Sequence, residues 1–271
     1  MTSTESAHDS AELLALAEQA ARAAGRLIVE GRPDRAVEVT ATKSSATDIV
    51  TEMDQASERL LVEHIRAVRP DDGFLGEEGS DEPGTSGVTW VIDPIDGTVN
   101  YLYQLPAFAV SIGVRVGDDI VAGAVVNPTS GEVFTARRGH GAWLDGRPIR
   151  VNDPPALAMA LVATGFGYDP ERRGRQARVL TGVLPKIRDV RRIGSASLDL
   201  CALACGRVDG YFEQGLKPWD LAAGGLIAAE AGALVGGLAG RAAGERLVIA
   251  APPGLFEQLE GLLRTLDADR D

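Results

Sequence analysis

The sequence predicts an α/β protein that is built in two parts. In the first part, two helical segments precede a run of strands joined by short turns, which is typical of an antiparallel sheet. In the second part, short strands alternate with helices. The chain has 271 residues, enough for one large domain or for two lobes that share a core. The change from strands joined by short turns to strands that alternate with helices predicts a first lobe at 10–150 and a second lobe at 151–271, after a flexible tail at 1–9.

Two helices open the first lobe. Apolar residues recur at helical spacing over 13–28, and this pattern predicts an amphipathic helix. Thr51 can cap a second helix, with Asp54 three residues later, and Pro70 ends it. We expect the buried face of the second helix to consist of Met53, Ala56, Leu60, Leu61, Ile65 and Val68.

Apolar runs follow these helices and predict a sheet. Gly117-Asp118-Asp119 lies between two of the runs and predicts a hairpin turn. A short apolar run just before Glu77 predicts one more strand, and a short helix is expected at 99–104. The other strands of this lobe are expected at 89–93, 107–116, 120–126, 132–136 and 139–146.

Strands and helices alternate through the second lobe. The run 221–240 is rich in Ala and Gly and includes Glu230, so we interpret it as a buried helix followed by a short strand rather than as a membrane span. Strands are expected at 160–163, 190–193, 208–212 and 247–250, and helices at 171–184, 196–205, 220–231 and from 255 onward.

Composition narrows the function classes. The net charge of −12 argues against bulk binding to nucleic acid or anionic lipid, because like charges repel. The first residues have neither a basic start nor an apolar stretch, so we expect no secretion signal. We interpret Cys201 and Cys205 as small buried groups rather than as a metal or redox pair. The lack of a disulfide framework fits a reducing cytoplasm.

The segment Asp93-Pro-Ile-Asp96-Gly-Thr98 carries the clearest chemical signal. A strand delivers Asp93 to its carboxyl end, and Asp96 follows just before the short helix. Two carboxylates there can bind a hard cation, while the N–H groups of Gly97 and Thr98 can face an anion such as phosphate. The alternative is an Asp-Gly turn that caps a helix.

Further acidic residues occur in other segments. Glu77 follows a predicted strand, Asp220 begins a predicted helix, and Asp54 lies on the helix that Thr51 caps. Each of them taken alone has an ordinary explanation, such as a solvated charge or a helix cap. Four carboxylates in one cleft repel one another and require cations to stay ionised together.

The combined pattern resembles the inositol monophosphatase family over about residues 11–265. Within this family, the chain is similar to the bacterial inositol-1-monophosphatases. The resemblance implies a layered αβαβα sandwich of the sugar-phosphatase type, with an antiparallel sheet in the first half, a mixed sheet in the second and the active site where the lobes meet. The segments that carry it are Lys43-Ser-Ser-Ala-Thr-Asp48-Ile-Val-Thr51-Glu-Met-Asp54, Gly76-Glu77-Glu78, Trp90-Val-Ile-Asp93-Pro-Ile-Asp96-Gly-Thr98-Val-Asn100, Arg192-Ile-Gly194-Ser195-Ala196, Tyr211-Phe-Glu213 and Trp219-Asp220.

The resemblance also implies a magnesium site. Glu77, Asp93 and the carbonyl of Ile95 would hold one Mg²⁺, and Asp93, Asp96 and Asp220 a second, with a weaker third ion near Glu77 through water. This donor set consists of oxygen atoms, which suits Mg²⁺. The chain has three His residues, and these segments contain none of them, so zinc is disfavoured.

The expected reaction is phosphate-monoester hydrolysis by a metal-activated water, with inositol-1-phosphate as the substrate. The resemblance makes Thr98 and Asp54 the pair that relays the proton of the water, adds Glu77 to the catalytic set and puts Lys43 on a loop near the metals. The residues expected to contact the substrate are Asp96, Gly97, Thr98, Gly194, Ser195, Ala196, Glu213 and Asp220. The chain departs from the family at Lys217, where many relatives have His, and at Gly79, where Ser is common.

Several alternatives stay open. Histidinol-phosphate, fructose-1,6-bisphosphate and 3′-phosphoadenosine phosphate phosphatases share the same fold and metal core. A regulatory protein in transcription or RNA processing is an alternative of a different class. The spacing of Asp93 and Asp96 differs from the Asp-x-Asp of haloacid-dehalogenase-type phosphatases. The family further implies a homodimer and sensitivity to lithium.

Overall fold

The protein is described by a computed structural model over residues 9–32, 41–42 and 49–270. Most of the predicted tail and the predicted site residue Lys43 lie outside the described residues. The helices of the described chain are α1 (Ser10–Glu30), α2 (Glu52–Arg66), α3 (Thr98–Leu102), α4 (Pro170–Val183), α5 (Ala196–Ala204), α6 (Pro218–Glu230) and α7 (Pro253–Thr265).

The strands form a hairpin and two larger sheets. The hairpin pairs β1 (Ala41–Thr42) with β2 (Ile49–Val50). The first sheet contains β3 (Gly73–Gly76), β4 (Asp81–Glu82), β5 (Val88–Asp96), β6 (Ala109–Val116), β7 (Asp119–Val126), β8 (Val133–Arg137), β9 (Gly141–Leu144) and β10 (Arg147–Ile149). The second contains β11 (Leu161–Thr164), β12 (Asp189–Arg191), β13 (Gly210–Glu213), β14 (Leu234–Gly236) and β15 (Val248–Ala251).

The first sheet has the order β10-β9-β8-β7-β6-β5-β3-β4 and is antiparallel apart from one pair. β3 and β5 run parallel, with Gly76 opposite Ile92, which differs from the purely antiparallel prediction. The reason is the edge strand β4: the chain turns back along β4 and then crosses to the other side of β3. The carboxyl ends of β3 and β5 therefore meet at the same edge of the sheet.

The second sheet is mixed, as expected. Its order is β12-β11-β13-β15-β14, in which β12, β11 and β13 are parallel and β15 is antiparallel to both of its neighbours.

Three buried clusters confirm the layered αβαβα sandwich. The outer cluster packs α1 and α2 on the first sheet, the middle cluster packs α5 and α6 between the sheets, and the third packs α4 and α7 on the second sheet. α5 and α6 come from the second half of the chain, yet they pack against both sheets. The two predicted lobes thus share a core, and the division at residue 150 stays a prediction.

The predicted buried face of α2 is partly wrong. Leu61 and Ile65 are fully buried, but Val68 is 63% exposed and lies beyond the end of the helix. Polar residues take the buried positions, namely Asp54, Ser57 and Glu58. The helix is rotated relative to the prediction because this face lies against the polar end of β5 and the loop after β3, where its polar groups find hydrogen-bond partners.

Two glycines let α6 approach the first sheet closely. A Cβ at Gly113 would lie 2.6 Å from the Cβ of Ala222, and one at Gly123 would lie 3.0 Å from the Cα of Ala223. Both Ala residues are in the first half of α6, so the close contact fixes the distance between the N-terminal half of α6 and the first sheet. Across the described part of the chain, helices are too short or too polar to span a bilayer.

Candidate active site

Three carboxylates converge where β5 ends and α6 begins. The ligand oxygens of Asp93, Asp96 and Asp220 all lie within 4.8 Å of one another. Asp93 is 1% and Asp96 is 7% exposed. The pairing of β5 with β6 shifts register between Asp93 and Asp96, around Pro94, and the carboxyl groups on either side of this irregularity share one cluster. Asp220 joins them from a distant part of the sequence, through the contact of α6 with the first sheet.

Glu77 is the fourth acidic residue at this edge. Its backbone N–H donates to the carbonyl of Ile92 at 3.2 Å, which places it beside the end of β5. Its side chain lies close enough to Asp93 for its charge to raise the pKa of that carboxyl, and it lines the same cleft. The parallel pairing of β3 and β5 is therefore what brings Glu77 to Asp93.

The acidic cluster is electrostatically strained. Burial raises the pKa of Asp93 well above its usual range, and the neighbouring charges of Glu77, Asp96 and Asp220 raise it further. The pKa of Asp220 is also raised, first by removal from water and then by Glu77 and Asp96. A divalent cation relieves this repulsion, and a site made of carboxylates with a nearby carbonyl fits a hard cation such as Mg²⁺.

Hydrogen bonds orient the carboxylate of Asp96. Its Oδ2 accepts from the Ser195 hydroxyl at 2.7 Å and from the N–H and the hydroxyl of Ser197 at 2.7 Å and 2.5 Å. Its Oδ1 accepts from the N–H of Ala196 at 3.2 Å. These donors lie at the start of α5, so α5 sets the position of the Asp96 carboxylate.

Thr98, Asp54 and Thr51 form a hydrogen-bonded chain beside the carboxylates. The hydroxyl of Thr98 lies 3.0 Å from Oδ1 of Asp54 and 3.0 Å from the carbonyl of Ile95. Oδ2 of Asp54 accepts from the N–H of Thr51 at 2.7 Å and from its hydroxyl at 2.5 Å. Asp54 is 1% exposed, so this carboxylate is shielded from water.

The acidic cluster lines a cleft that residues of both halves of the chain enclose. The volume of the cleft is about 390 Å³, and all eight of the predicted substrate residues line it. They are Asp96, Gly97, Thr98, Gly194, Ser195, Ala196, Glu213 and Asp220. Gly97 has φ of +97°, a conformation that favours glycine, and this turn starts α3.

Glu213, at the end of β13, lines the same cleft as the acidic cluster. The Tyr211 hydroxyl donates to its Oε2 at 2.7 Å. Burial raises the pKa of Glu213 to about 7, against the lowering effects of Tyr211 and Arg192. A Cβ at Gly165 would overlap the Glu213 carboxylate, so a larger residue there would displace this carboxylate.

Lys217 lies at the mouth of the cleft. Its ammonium group pairs with Glu245 at 2.6 Å, and its backbone N–H donates to Oδ2 of Asp220 at 2.6 Å. The departure from the family at this position therefore adds a surface ion pair next to the acidic cluster.

Two buried acids of this region were missed by the sequence reasoning. Glu58 accepts from the N–H groups of Glu78 and Ser80 at 2.8 Å and 2.9 Å and so anchors the loop that carries Glu77. Asp199, on α5, lines the cleft and is 1% exposed. The signal for Glu58 was available, since a charged residue four positions after Asp54 lies on the same face of α2. Asp199 lies in an apolar helix, which offered a weaker signal.

Comparison with known proteins identifies a family. Residues 9–268 match the model of the Inositol monophosphatase family. The chain is 51% identical to the inositol-1-monophosphatase SuhB of Mycobacterium tuberculosis over 232 residues, which cover 82% of this chain and 80% of the relative. It is 44% identical to the Nus factor SuhB of Pasteurella multocida over 225 residues, 82% of this chain and 84% of the relative.

A solved structure agrees with the fold. The extragenic suppressor protein suhB from Bartonella henselae superposes with a TM-score of 0.87 at 35% sequence identity. The match covers 93% of this chain and 98% of that one.

Proposed function

This chain belongs to the inositol monophosphatase family, and we propose that it is a Mg²⁺-dependent phosphatase that hydrolyses inositol-1-phosphate. The observation that carries the proposal is the meeting of Asp93, Asp96 and Asp220 within 4.8 Å, beside the Thr98–Asp54 hydrogen bond. The family makes the protein a phosphatase; the metal and the substrate are the proposal.

The metal would be held by oxygen ligands. Glu77, Asp93 and the Ile95 carbonyl would hold one Mg²⁺, and Asp93, Asp96 and Asp220 a second, with a third near Glu77. When bound, Mg²⁺ acidifies water and neutralises the charge of a phosphate ester. The raised pKa of Asp93 and of Asp220 supports a divalent occupant, because ionised carboxylates this close need a counter-charge.

The chain's own residues handle the proton. The Thr98 hydroxyl donates to Oδ1 of Asp54, which leaves a lone pair on Oγ1 to accept a proton from the attacking water. Thr51 holds Oδ2 of Asp54 through two hydrogen bonds and keeps Oδ1 directed at Thr98. Lys43 stays in the proposed catalytic set as a residue outside the described chain.

The alcohol part of the substrate would lie toward Gly194, Ser195, Ala196 and Glu213. Glu213 can accept hydrogen bonds from ring hydroxyls, while the backbone at Gly194 allows close approach. The phosphate would then lie against Gly97 and Thr98, next to the metal ligands.

Steady-state hydrolysis tests this function. We expect turnover of inositol-1-phosphate that requires Mg²⁺ and is lost in Asp93→Asn and Asp220→Asn, while Asp118→Asn, an exposed change in a hairpin turn, retains it. Histidinol phosphate, fructose-1,6-bisphosphate and 3′-phosphoadenosine phosphate serve as rival substrates. Higher kcat/KM for one of these than for inositol-1-phosphate contradicts the proposed substrate.

A second candidate function is suggested by a relative. The Pasteurella multocida protein, 44% identical, is named a Nus factor, so an interaction role in transcription or RNA processing is the alternative. Capture of a defined macromolecular partner by Asp93→Asn after loss of turnover would support it. The homodimer, the sensitivity to lithium and the cytoplasmic location stay predictions.

A further inference from the structure

Asp199 is a buried carboxyl group in the cleft wall for which the proposed mechanism has no use. It lies in the first turn of α5, is 1% exposed and lines the cleft. Among the described residues, its Oδ1 has no hydrogen-bond partner. A buried polar atom without a partner is rare and destabilising. In the wall of a binding cleft, such an atom indicates a partner that arrives with the ligand.

The groups around Asp199 place it on the alcohol side of the cleft. Glu213 and Asp96 face it with negative charge, while Arg192 faces it with positive charge. The guanidinium of Arg192 lies against Gly194, where a Cβ would overlap Nη1. Asp199 therefore lies among Glu213, Arg192 and Asp96, in the wall that also includes Gly194.

The protonation state of Asp199 indicates the kind of ligand group. Burial, and then the charges of Glu213 and Asp96, raise its pKa to about 9, against the lowering effects of Arg192 and of a backbone hydrogen bond from Ile193. This shift favours the neutral carboxyl group at pH 7. A neutral carboxyl has one hydrogen to donate and oxygen lone pairs to accept with, as a hydroxyl group does. An ammonium group only donates, and a phosphate dianion only accepts.

We propose that Asp199 is a specificity-determining residue that binds a hydroxyl group on the alcohol part of the substrate. The inference rests on the proposed function and adds a second acid to Glu213 for recognition of a polyhydroxylated alcohol. It predicts that Asp199 matters for hydroxylated phosphate esters and has little effect on esters whose alcohol has no hydroxyl group.

Kinetics on two kinds of ester tests the inference. Inositol-1-phosphate and glycerol-2-phosphate have free hydroxyl groups, whereas p-nitrophenyl phosphate has none. We expect Asp199→Ala to lower kcat/KM for the hydroxylated esters about 10- to 100-fold, as expected when one hydrogen bond of a specific site is lost. Turnover of p-nitrophenyl phosphate should change less than about twofold, because that ester lacks the interaction.

Two further variants separate recognition from structure. Asp199→Asn keeps one donor and one acceptor, so it should retain most of the activity on the hydroxylated esters. Asp209→Asn, whose side chain contacts Asn152 and the N–H of Leu161 outside the cleft, should leave the ratio between the two kinds of ester unchanged. Thermal unfolding of each variant checks that it is folded.

The outcomes are distinct. An equal loss on both kinds of ester, no loss on either, or an Asp199→Asn defect as large as that of Asp199→Ala would overturn the role of Asp199. Failure of the wild type on inositol-1-phosphate alone would overturn the proposed substrate, while glycerol-2-phosphate would still test Asp199. Failure of the wild type on both hydroxylated esters would contradict both proposals.

Discussion

Hydrogen bonds hold three acids of the candidate site in place. Oδ2 of Asp96 accepts from Ser195 and Ser197, Oδ2 of Asp220 accepts from the N–H of Lys217, and Oδ2 of Asp54 accepts from Thr51. These donors fix the carboxylates before any ligand binds. Pre-organisation of this kind reduces the rearrangement required on binding and in the reaction.

The Thr98–Asp54 hydrogen bond predicts a specific kinetic defect. Thr98→Ala removes the hydroxyl that passes the proton, so we expect kcat for inositol-1-phosphate to fall about 10²- to 10⁴-fold with little change in KM. Thr98→Ser retains the hydroxyl and should retain most of the rate. Equal activity of the Ala and Ser variants in steady-state assays would exclude a proton-relay role for this residue.

At the scale of elements, the site is assembled by three contacts. The parallel pairing of β3 with β5 brings Glu77 to Asp93, the close packing of α6 on the first sheet brings Asp220, and the start of α5 binds Asp96. The carboxylate of Glu58 on α2 secures the loop after β3. The position of each ligand thus depends on an element that does not contain it.

Glu58 is expected to control metal affinity through Glu77. In Glu58→Gln the amide presents only one acceptor oxygen to two backbone N–H groups, so the loop loses one hydrogen bond. The Mg²⁺ concentration for half-maximal activity should rise about 10-fold or more, as for other residues that orient metal ligands. Glu63→Gln, on the exposed face of the same helix, is the control. Unchanged Mg²⁺ dependence in Glu58→Gln would refute the anchoring role.

Gly113 is expected to control the position of α6. A Cβ there would lie 2.6 Å from that of Ala222, so Gly113→Ala forces the helix away from the sheet. We expect the free energy of unfolding to fall by about 1–3 kcal/mol, as for other overpacked cores, and Asp220 to bind metal more weakly. Gly261→Ala, where a Cβ meets open space within α7, should instead stabilise the protein by up to about 1 kcal/mol. Calorimetry and Mg²⁺ titration measure both effects.

At the scale of the whole molecule, the fold holds several acids with raised pKa in one cleft. Asp93, Asp199, Glu213 and Asp220 all bind protons more tightly in the folded chain than in the unfolded one. Stability from such groups is complete below their unfolded pKa values and is lost as the pH rises toward the folded ones. The middle layer carries Asp199 and Asp220, so its contribution to the free energy of unfolding falls as the pH rises.

The raised pKa values predict that a higher pH lowers the stability of the metal-free protein and that bound metal opposes this loss. Without metal, the free energy of unfolding should fall between about pH 5 and pH 8, because the folded state binds more protons than the unfolded state. Millimolar Mg²⁺ should raise the melting temperature and flatten this dependence, since it stabilises the ionised acids. In Asp199→Asn the metal-free slope should be smaller. Melting curves at constant ionic strength measure these slopes, and a melting temperature that does not respond to Mg²⁺ would argue against a metal site.

Local patterns in the chain were sufficient for much of this structure. Apolar spacing predicted α1 and most strands of both sheets, and Thr51 and Asp54 predicted the start of α2. The Asp93–Thr98 segment, combined with the other acidic segments, led to the family, which the comparisons confirm. These features depend on residues that lie close together in sequence. Turn residues, caps and periodicity act over a few positions, so they can be interpreted before the fold is known.

Tertiary structure decided which distant groups meet. The rotation of α2, the parallel pairing of β3 with β5 and the burial of Glu58 and Asp199 depend on contacts between segments far apart in sequence. Val68 has an apolar side chain, yet it is exposed, and Asp199 is an acid, yet it is buried. Burial is a property of the packed layers, because the free energy of a side chain depends on which neighbours replace water around it.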